Sequence, residues 1–456
     1  MEMVKAGCNL QDIQMMYKLN EETEITVETP LGQTESTYIG ETVKQGTVLG
    51  PEMCCVTIDQ VNNIGENQEK AVGEVMVGIL VFVDDVMSAG TAEEIRKAIR
   101  NFAEMEKLKK VTYGLKKTKY MIMNTGKELD EEIAEKVKGG MVGETAEYKY
   151  VGLWLNKEGN LKLHIENKKK KIKGQISAMK SLASYYNVGD VFVLVRLQLF
   201  EVCIIPSILY NIEGWNHLTK KELAQLEMIQ HQALCTLLDL PKTTPYIALL
   251  NEVGMWRMEE RLSYRRIMLY HNIVHSEETR LIKKMIEQQE REEEDFSWYV
   301  VTKENMKRLE IDITTVKDLS KSQLKNMVKT RITERMKGIA IATKNGSTKM
   351  RFSSCSSFQM KSYVKFGDGN SILQTLKTRL NMWEVYGNFK GNYRLPRLCP
   401  HCQKEDDTTE HLILCPALGP TNFAAEDIED EENVELWRQM LERISTNMKW
   451  REARRM

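Results

Sequence analysis

The sequence predicts an α+β protein: a strand-bearing N-terminal part, a long mostly helical middle and a small cysteine–histidine module near the end. Three observations carry this. The apolar run Val75-Met76-Val77-Gly78-Ile79-Leu80-Val81-Phe82-Val83 stops at Asp84-Asp85 and resumes with Val86-Met87, which reads as a buried hairpin turning at the aspartates. Residues 175–285 place apolar side chains every three or four positions, as packed helices do. Cys399, Cys402, His411 and Cys415 follow the spacing C-x2-C-x8-H-x3-C. The length of 456 residues suits about three domains.

The first elements in order are a helix over 1–19 and, after Pro51, a second over 53–61. The hairpin comes next. Two ionised carboxylates at its tip would repel each other and lose hydration unless a cation neutralised them, and Mg²⁺ with its oxygen ligands meets that need. An ordinary Asp-Asp turn is the plain alternative. Thr91 then caps a helix whose first turn holds Glu93 and Glu94 and whose apolar face is Ile95, Ile99, Phe102, Met105 and Leu108. Strand, turn, strand, helix, strand is the order of a split β-α-β sheet.

Four segments carry a resemblance. They are Gln45-Gly46 leading to Pro51, Phe82-Val83-Asp84-Asp85, Lys117-Thr118, and Tyr148-Lys149-Tyr150-Val151-Gly152-Leu153. In this order they resemble the palm of reverse transcriptases of non-LTR (LINE-type) retrotransposons, and the resemblance runs to about residue 418. It implies a two-metal site in which Asp84 and Asp85 bind Mg²⁺. It further implies that Gln45, Gly46 and Phe82 shape the template and nucleotide site, that Lys117 approaches the incoming phosphates, and that Tyr150 and Gly152 belong to a primer-grip strand. The partners implied are an RNA template, a DNA primer and deoxynucleotides. The family's first catalytic aspartate and its fingers have no counterpart before Gln45, so the chain reads as an N-terminally truncated copy with one metal ligand missing. Two-metal transfer rests on charge neutralisation by ions roughly 3.5–4 Å apart, so such a chain is expected to be inactive as a polymerase. The other reading is a catalytically dead remnant that binds nucleic acid or protein.

The implied organisation is a partial palm over 1–165, a helical thumb over 166–286, a charged linker and helical region over 287–394, a zinc module over 395–418, and an acidic tail with an amphipathic helix over 419–456. At the start of the thumb, Lys168, Lys169, Lys170 and Lys171 form a basic run that reads either as phosphate contacts or as a solvated helix face. Residues 191–209 are apolar and interrupted by Pro206; Leu223, Leu226, Ala233, Leu234 and Leu237 share a helix face ending near Pro241. The segment Leu209-Tyr210-Asn211-Ile212-Glu213-Gly214-Trp215 resembles a thumb motif in which glycine is common where Asn211 stands. The charge-dense stretch 287–295 is the expected linker. A second basic face comprises Lys321, Lys325, Lys329, Arg331, Arg335 and Lys337.

Three thiolates and an imidazole at knuckle-like spacing form a structural zinc set, tetrahedral and closed to substrate. His401, beside Cys402, is a competing but badly placed ligand. An acidic stretch follows, then a helix over 434–444 with a basic end at Arg451, Arg454 and Arg455. A net charge of −1 excludes a uniformly basic coat, so polyanion contacts would come from local patches. No apolar run reaches the length of a membrane span, and residues 1–5 lack the pattern of a secretory signal. Nine cysteines without framework spacing indicate an intracellular protein with reduced thiols, with Cys54, Cys55, Cys203 and Cys235 reading as core.

Overall fold

The computed structural model describes residues 4, 7–20, 23–39, 70–72, 75–77, 79–82, 85–109, 114, 116–123, 136–137, 140–186, 192–347, 350–366, 369–389, 395–422 and 434–455. The chain forms two compact units, Met1–Asn160 and Leu161–Met456. The architecture is helix-rich with small sheets, in keeping with the α+β class. Gln45, Gly46, the helix over 53–61, Asp84 and residues 423–433 of the acidic tail lie outside the described residues.

In the first unit, helix α1 (Leu10–Asn20) precedes short β-pairs, and every described pairing is two-stranded. The apolar run of 75–83 is not one strand: Val75–Val77 pairs back with Lys70–Val72, and Ile79–Phe82 pairs with Asp85–Ser88. Nor is this hairpin buried, since Leu80 is 40% and Phe82 57% exposed. It pairs only with itself among the described residues. Helix α2 (Ala92–Lys109) starts as expected. The Thr91 backbone N–H donates to Glu94, and the Glu94 N–H lies 3.4 Å from Thr91 Oγ1, a reciprocal capping arrangement. Its inner face puts Ile95, Ile99 and Ala103 against Val142, Tyr120 and Ile122. The strand after it, Lys119–Tyr120, pairs in parallel with Gly143–Glu144.

The segment 148–155 also departs from expectation. It is a hairpin, Glu147–Tyr150 with Leu153–Asn156, turning at Val151 (φ 43°) and Gly152 (φ 80°). Two successive positive φ values match the twist of the flanking strands, and glycine supplies one of them without strain. Tyr148 and Tyr150 share its half-buried face, while Glu147 and Lys149 face water.

The second unit opens with α3 (Lys162–Tyr186), whose inward row is His164, Ile165, Lys168, Ile172 and Ile176. Next come α4 (Phe192–Leu199), a π-helical turn (Phe200–Ile204) and α5 (Ile205–Leu209). Pro206 explains the π turn: its ring has no N–H to give and would clash with the carbonyl four residues back, so the preceding turn widens. The widened turn buries Phe200 and Ile204 and leaves Cys203 exposed, contrary to its reading as core, whereas Cys235 is buried as expected. No disulfide occurs among the described cysteines. Asn211 sits at φ 63°, the left-handed conformation in which glycine and asparagine are the usual occupants. Glu213 pairs with Arg265, and its carbonyl accepts from Trp298 Nε1 at 2.8 Å, so this segment serves packing.

Helix α6 (Lys220–Leu237) has a capping box from Thr219 and Glu222, and Glu222 also accepts the Leu161 N–H at 3.1 Å. Leu226, Ala233, Leu234 and Leu237 are its buried face, with Leu223 half-buried. After α7 (Tyr246–Val253) and α8 (Met258–Val274) comes α9 (Leu281–Glu292), which takes in most of the expected linker. Residues 287–292 are helix because glutamate, glutamine and arginine favour it; Gln288 is buried, Glu287, Gln289 and Glu290 are half-buried, and Arg291 and Glu292 are exposed, so the stretch is part of the packed unit and not a break. The rest of that stretch is a tight turn into α10 (Trp298–Arg308). In α11 (Lys321–Gly346), Leu324, Val328, Ile332, Met336 and Ala340 are buried at four-residue spacing; Arg335 pairs with buried Glu260, and Arg331 with Glu310 and Glu334. The chain closes with α12 (Ser362–Phe366), α13 (Gly369–Arg379), α14 (Thr409–Leu414) and α15 (Val434–Arg455). Among the described residues no helix is long and apolar enough to cross a membrane.

Buried His164 makes the second unit sensitive to acid. Burial, and then the charge of Lys168, push its imidazole down from 6.5 to about 4, against a backbone hydrogen bond at Tyr210 that raises it. The unfolded chain therefore binds a proton that the fold rejects. The stability this contributes is fully present above pH 6.5 and is lost as pH falls towards 4, by at most about 3 kcal/mol. Denaturant midpoints measured from pH 7 to 4 are expected to fall more steeply for the native chain than for His164→Gln. Parallel curves would remove His164 as the cause.

Candidate metal centre

Local backbone geometry brings the four ligands together. Cys399 N–H donates to the Glu405 carbonyl at 2.8 Å and Gln403 N–H to the Cys399 carbonyl at 2.8 Å, and Leu398 bridges to Asp406. Cys399 and Cys402 thus occupy one tight turn. Thr408 caps α14 by accepting the His411 N–H at 3.1 Å, which sets His411 on the first turn of that helix and Cys415 just beyond its end.

The ligand atoms of Cys399, Cys402, His411 and Cys415 all lie within 4.8 Å of one another. Cys399 Sγ is 3.9 Å from Cys415 Sγ, and Cys402 Sγ is 3.2 Å from His411 Nε2. Zinc–sulfur bonds of about 2.3 Å in a tetrahedron separate sulfurs by about 3.8 Å, which the Cys399–Cys415 pair matches, and the four donors together could hold a metal ion. His411 Nδ1 meets Glu405 Oε2 at 3.0 Å, and this fixes the ring with Nε2 towards the other ligands. His401 is not in the set.

The thiols are tuned in opposite directions. Burial acts upward on Cys402, but the backbone N–H groups of Lys404 and Glu405 together with His411 outweigh it and bring the thiol to about 7. Burial pushes Cys415 up to about 11, with Cys399 adding to the rise and the Ala417 N–H opposing it. A cation entering the centre must displace a proton from Cys415, so affinity is expected to rise with pH.

The remaining site residues are placed as follows. Asp85 is exposed and sits opposite Phe82 in the hairpin register. Tyr148 and Tyr150 both have phenols raised by burial first and then by the charge of Asp85, so the two hairpins share an electrostatic neighbourhood. Lys117 is exposed in a turn closed by its N–H to the Gly114 carbonyl at 2.8 Å. Gly152 is at a hairpin tip. The lysine run divides: Lys170 and Lys171 are exposed and Lys169 half-buried, but Lys168 is 8% exposed with its ammonium 4.9 Å from the Tyr210 ring centroid. Lys168 therefore does not share the outward face of its neighbours, because the helical repeat turns it inward with His164 and Ile172.

Sequence reasoning missed the carboxylate and guanidinium groups around the cysteines. Glu405 and Asp407 lie in the loop between Cys402 and His411, and Arg451, which pairs with Asp407, lies far along the chain. What fold and centre define at this point is a helix-rich protein with a Cys3His group able to hold a metal ion. No family model matches the sequence, and no curated protein matches it.

Proposed function

We propose that the chain is of the RNA-directed DNA polymerase type found in non-LTR retrotransposons, with a structural Zn²⁺ at Cys399, Cys402, His411 and Cys415. The observation that carries the polymerase reading is the order along the chain of Gln45-Gly46, Phe82-Val83-Asp84-Asp85, Lys117-Thr118 and Tyr148-Lys149-Tyr150-Val151-Gly152-Leu153. Two of these segments form hairpins, Ile79–Phe82 with Asp85–Ser88 and Glu147–Tyr150 with Leu153–Asn156, and the charge of Asp85 adds to the rise that burial gives the Tyr148 and Tyr150 phenols. Asp84 and Asp85 would hold Mg²⁺, and Lys117 would meet the phosphates of a deoxynucleotide. These 456 residues supply two carboxylates of the family's three, so this polypeptide by itself is expected to bind template–primer without extending it.

The test is binding and extension of an RNA template annealed to a DNA primer, with and without Mg²⁺, for the native chain and for Asp84→Asn/Asp85→Asn. The reading expects binding that Mg²⁺ strengthens in the native chain but not in the double variant, with extension in neither. Template–primer binding indifferent to both Mg²⁺ and the substitutions would overturn it. The second reading, a protein that binds nucleic acid or a protein partner through its helical unit and metal module, draws on exposed Lys170, Lys171 and Lys173. Extension that disappears in the double variant would exclude that second reading.

A further inference from the structure

The ligand-bearing segment cannot fold by itself. Helix α14 has 6 residues, far fewer than an isolated helix needs, and its apolar side chains Leu412 and Ile413 are buried against Trp437, Met440 and Ile444 of α15, with Phe352, Trp383 and Val385 completing the cluster. Two arginines of α15 then grip the metal loop itself. Arg451 donates to both oxygens of Asp407, at 2.8 and 2.6 Å, and its Nε donates to Asn447 Oδ1 at 2.7 Å. Asp407 lies between the second and third ligands, is fully buried, and is held at its backbone by the Arg397 carbonyl at 2.7 Å and the Gly387 N–H at 2.8 Å. Arg443 donates to the carbonyls of Ile413 at 2.7 Å, Cys415 and Gly419 at 3.1 Å, and Leu418 at 3.2 Å, taking up the backbone acceptors around the fourth ligand.

We propose that α15 is a clasp of the metal centre, with Arg451 and Arg443 as positioning residues that hold the ligand loop in its binding shape. Metal occupancy and docking of α15 are then a single equilibrium. An empty loop loosens the helix, and a loosened helix leaves Asp407 buried without its partner and the carbonyl acceptors around Cys415 unmet. Linkage makes the effect reciprocal: whatever factor the clasp adds to metal affinity, the metal adds to docking. Loss of the ion would uncover the face of Trp437, Met440 and Ile444. The inference rests on the zinc reading.

The test uses the full chain. Cobalt substitution comes first, because thiolate-to-cobalt absorption reports the Cys3His ligation directly. Zinc affinity by competition with a chromophoric chelator is expected to fall at least tenfold in Arg451→Met. Arg443→Lys, a milder change at a partly exposed side chain, should fall severalfold while keeping the tetrahedral cobalt spectrum. Limited proteolysis of the native chain is expected to cut within 434–455 after chelation while 162–346 stays protected. A cobalt spectrum with zinc affinity within twofold of native in both variants would overturn the clasp, as would a helix that stays protected after chelation. Absence of any cobalt–thiolate absorption would instead overturn the zinc reading, and the clasp with it.

Discussion

Cys415→Ser is expected to abolish tight metal binding and to unfold the C-terminal module while leaving the rest of the second unit folded. A serine hydroxyl stays protonated at neutral pH and cannot replace a thiolate, so the tetrahedral set loses a ligand that is fully buried beside Cys399. Binding free energy at structural zinc sites is folding free energy, about 10–16 kcal/mol in small zinc modules. The loss of one thiolate in four should weaken affinity by well over a hundredfold. Metal stoichiometry after chelator competition, together with tryptophan fluorescence reporting Trp383 and Trp437, checks both halves of this expectation. Cys203→Ser, at an exposed thiol outside the centre, should keep native stoichiometry and fluorescence. Equal stoichiometry in the two variants would refute the assignment of Cys415.

Arg379→Met is expected to destabilise the second unit by about 3–5 kcal/mol, the usual cost of removing one partner of a buried ion pair. Arg379 Nε donates to Glu252 Oε2 at 2.9 Å, and both side chains are fully buried. Tyr363 Oη donates to the same carboxylate at 2.7 Å, Ser353 Oγ donates to Glu252 as well, and the rings of Tyr363 and Trp437 flank the guanidinium. Methionine fills much of the volume but leaves the Glu252 charge without a counterion. The double change Arg379→Met/Glu252→Gln removes the charge too and should recover a good part of the loss. Denaturant melts of the native chain and of the single and double variants decide it. A single variant as stable as the native chain would show that the hydroxyl donors alone satisfy Glu252.

The elements most legible in the sequence were those whose partners are close in the chain. Helix α2 announced itself through Thr91 and Glu94 at its start and Ile95 and Ile99 on its face, because capping and amphipathicity act within a few residues. The Cys3His group was legible because its four ligands lie in one short segment, and thiolate and imidazole at that spacing suit few other purposes. The inward turn of Lys168 was not legible. A lysine run looks the same whichever member the helix carries into the core, and the Tyr210 ring that receives the ammonium lies far along the chain. The stretch 287–292 misled for a related reason: charge density is shared by linkers and by helices, and only the inward packing of Ile286 and Gln288 reveals which is present.

By itself the sequence determined the helix-rich α+β class, the start of α2, and the set of side chains able to hold a metal, since each depends on local propensity or on ligand chemistry. Tertiary structure alone decided the placement of α15 and the pairing of Asp407 with Arg451 and of Glu252 with Arg379. Each of these joins groups brought together only when distant segments are buried on one another. A buried charge must find its counterion wherever the packed chain places one, and no local pattern records that address.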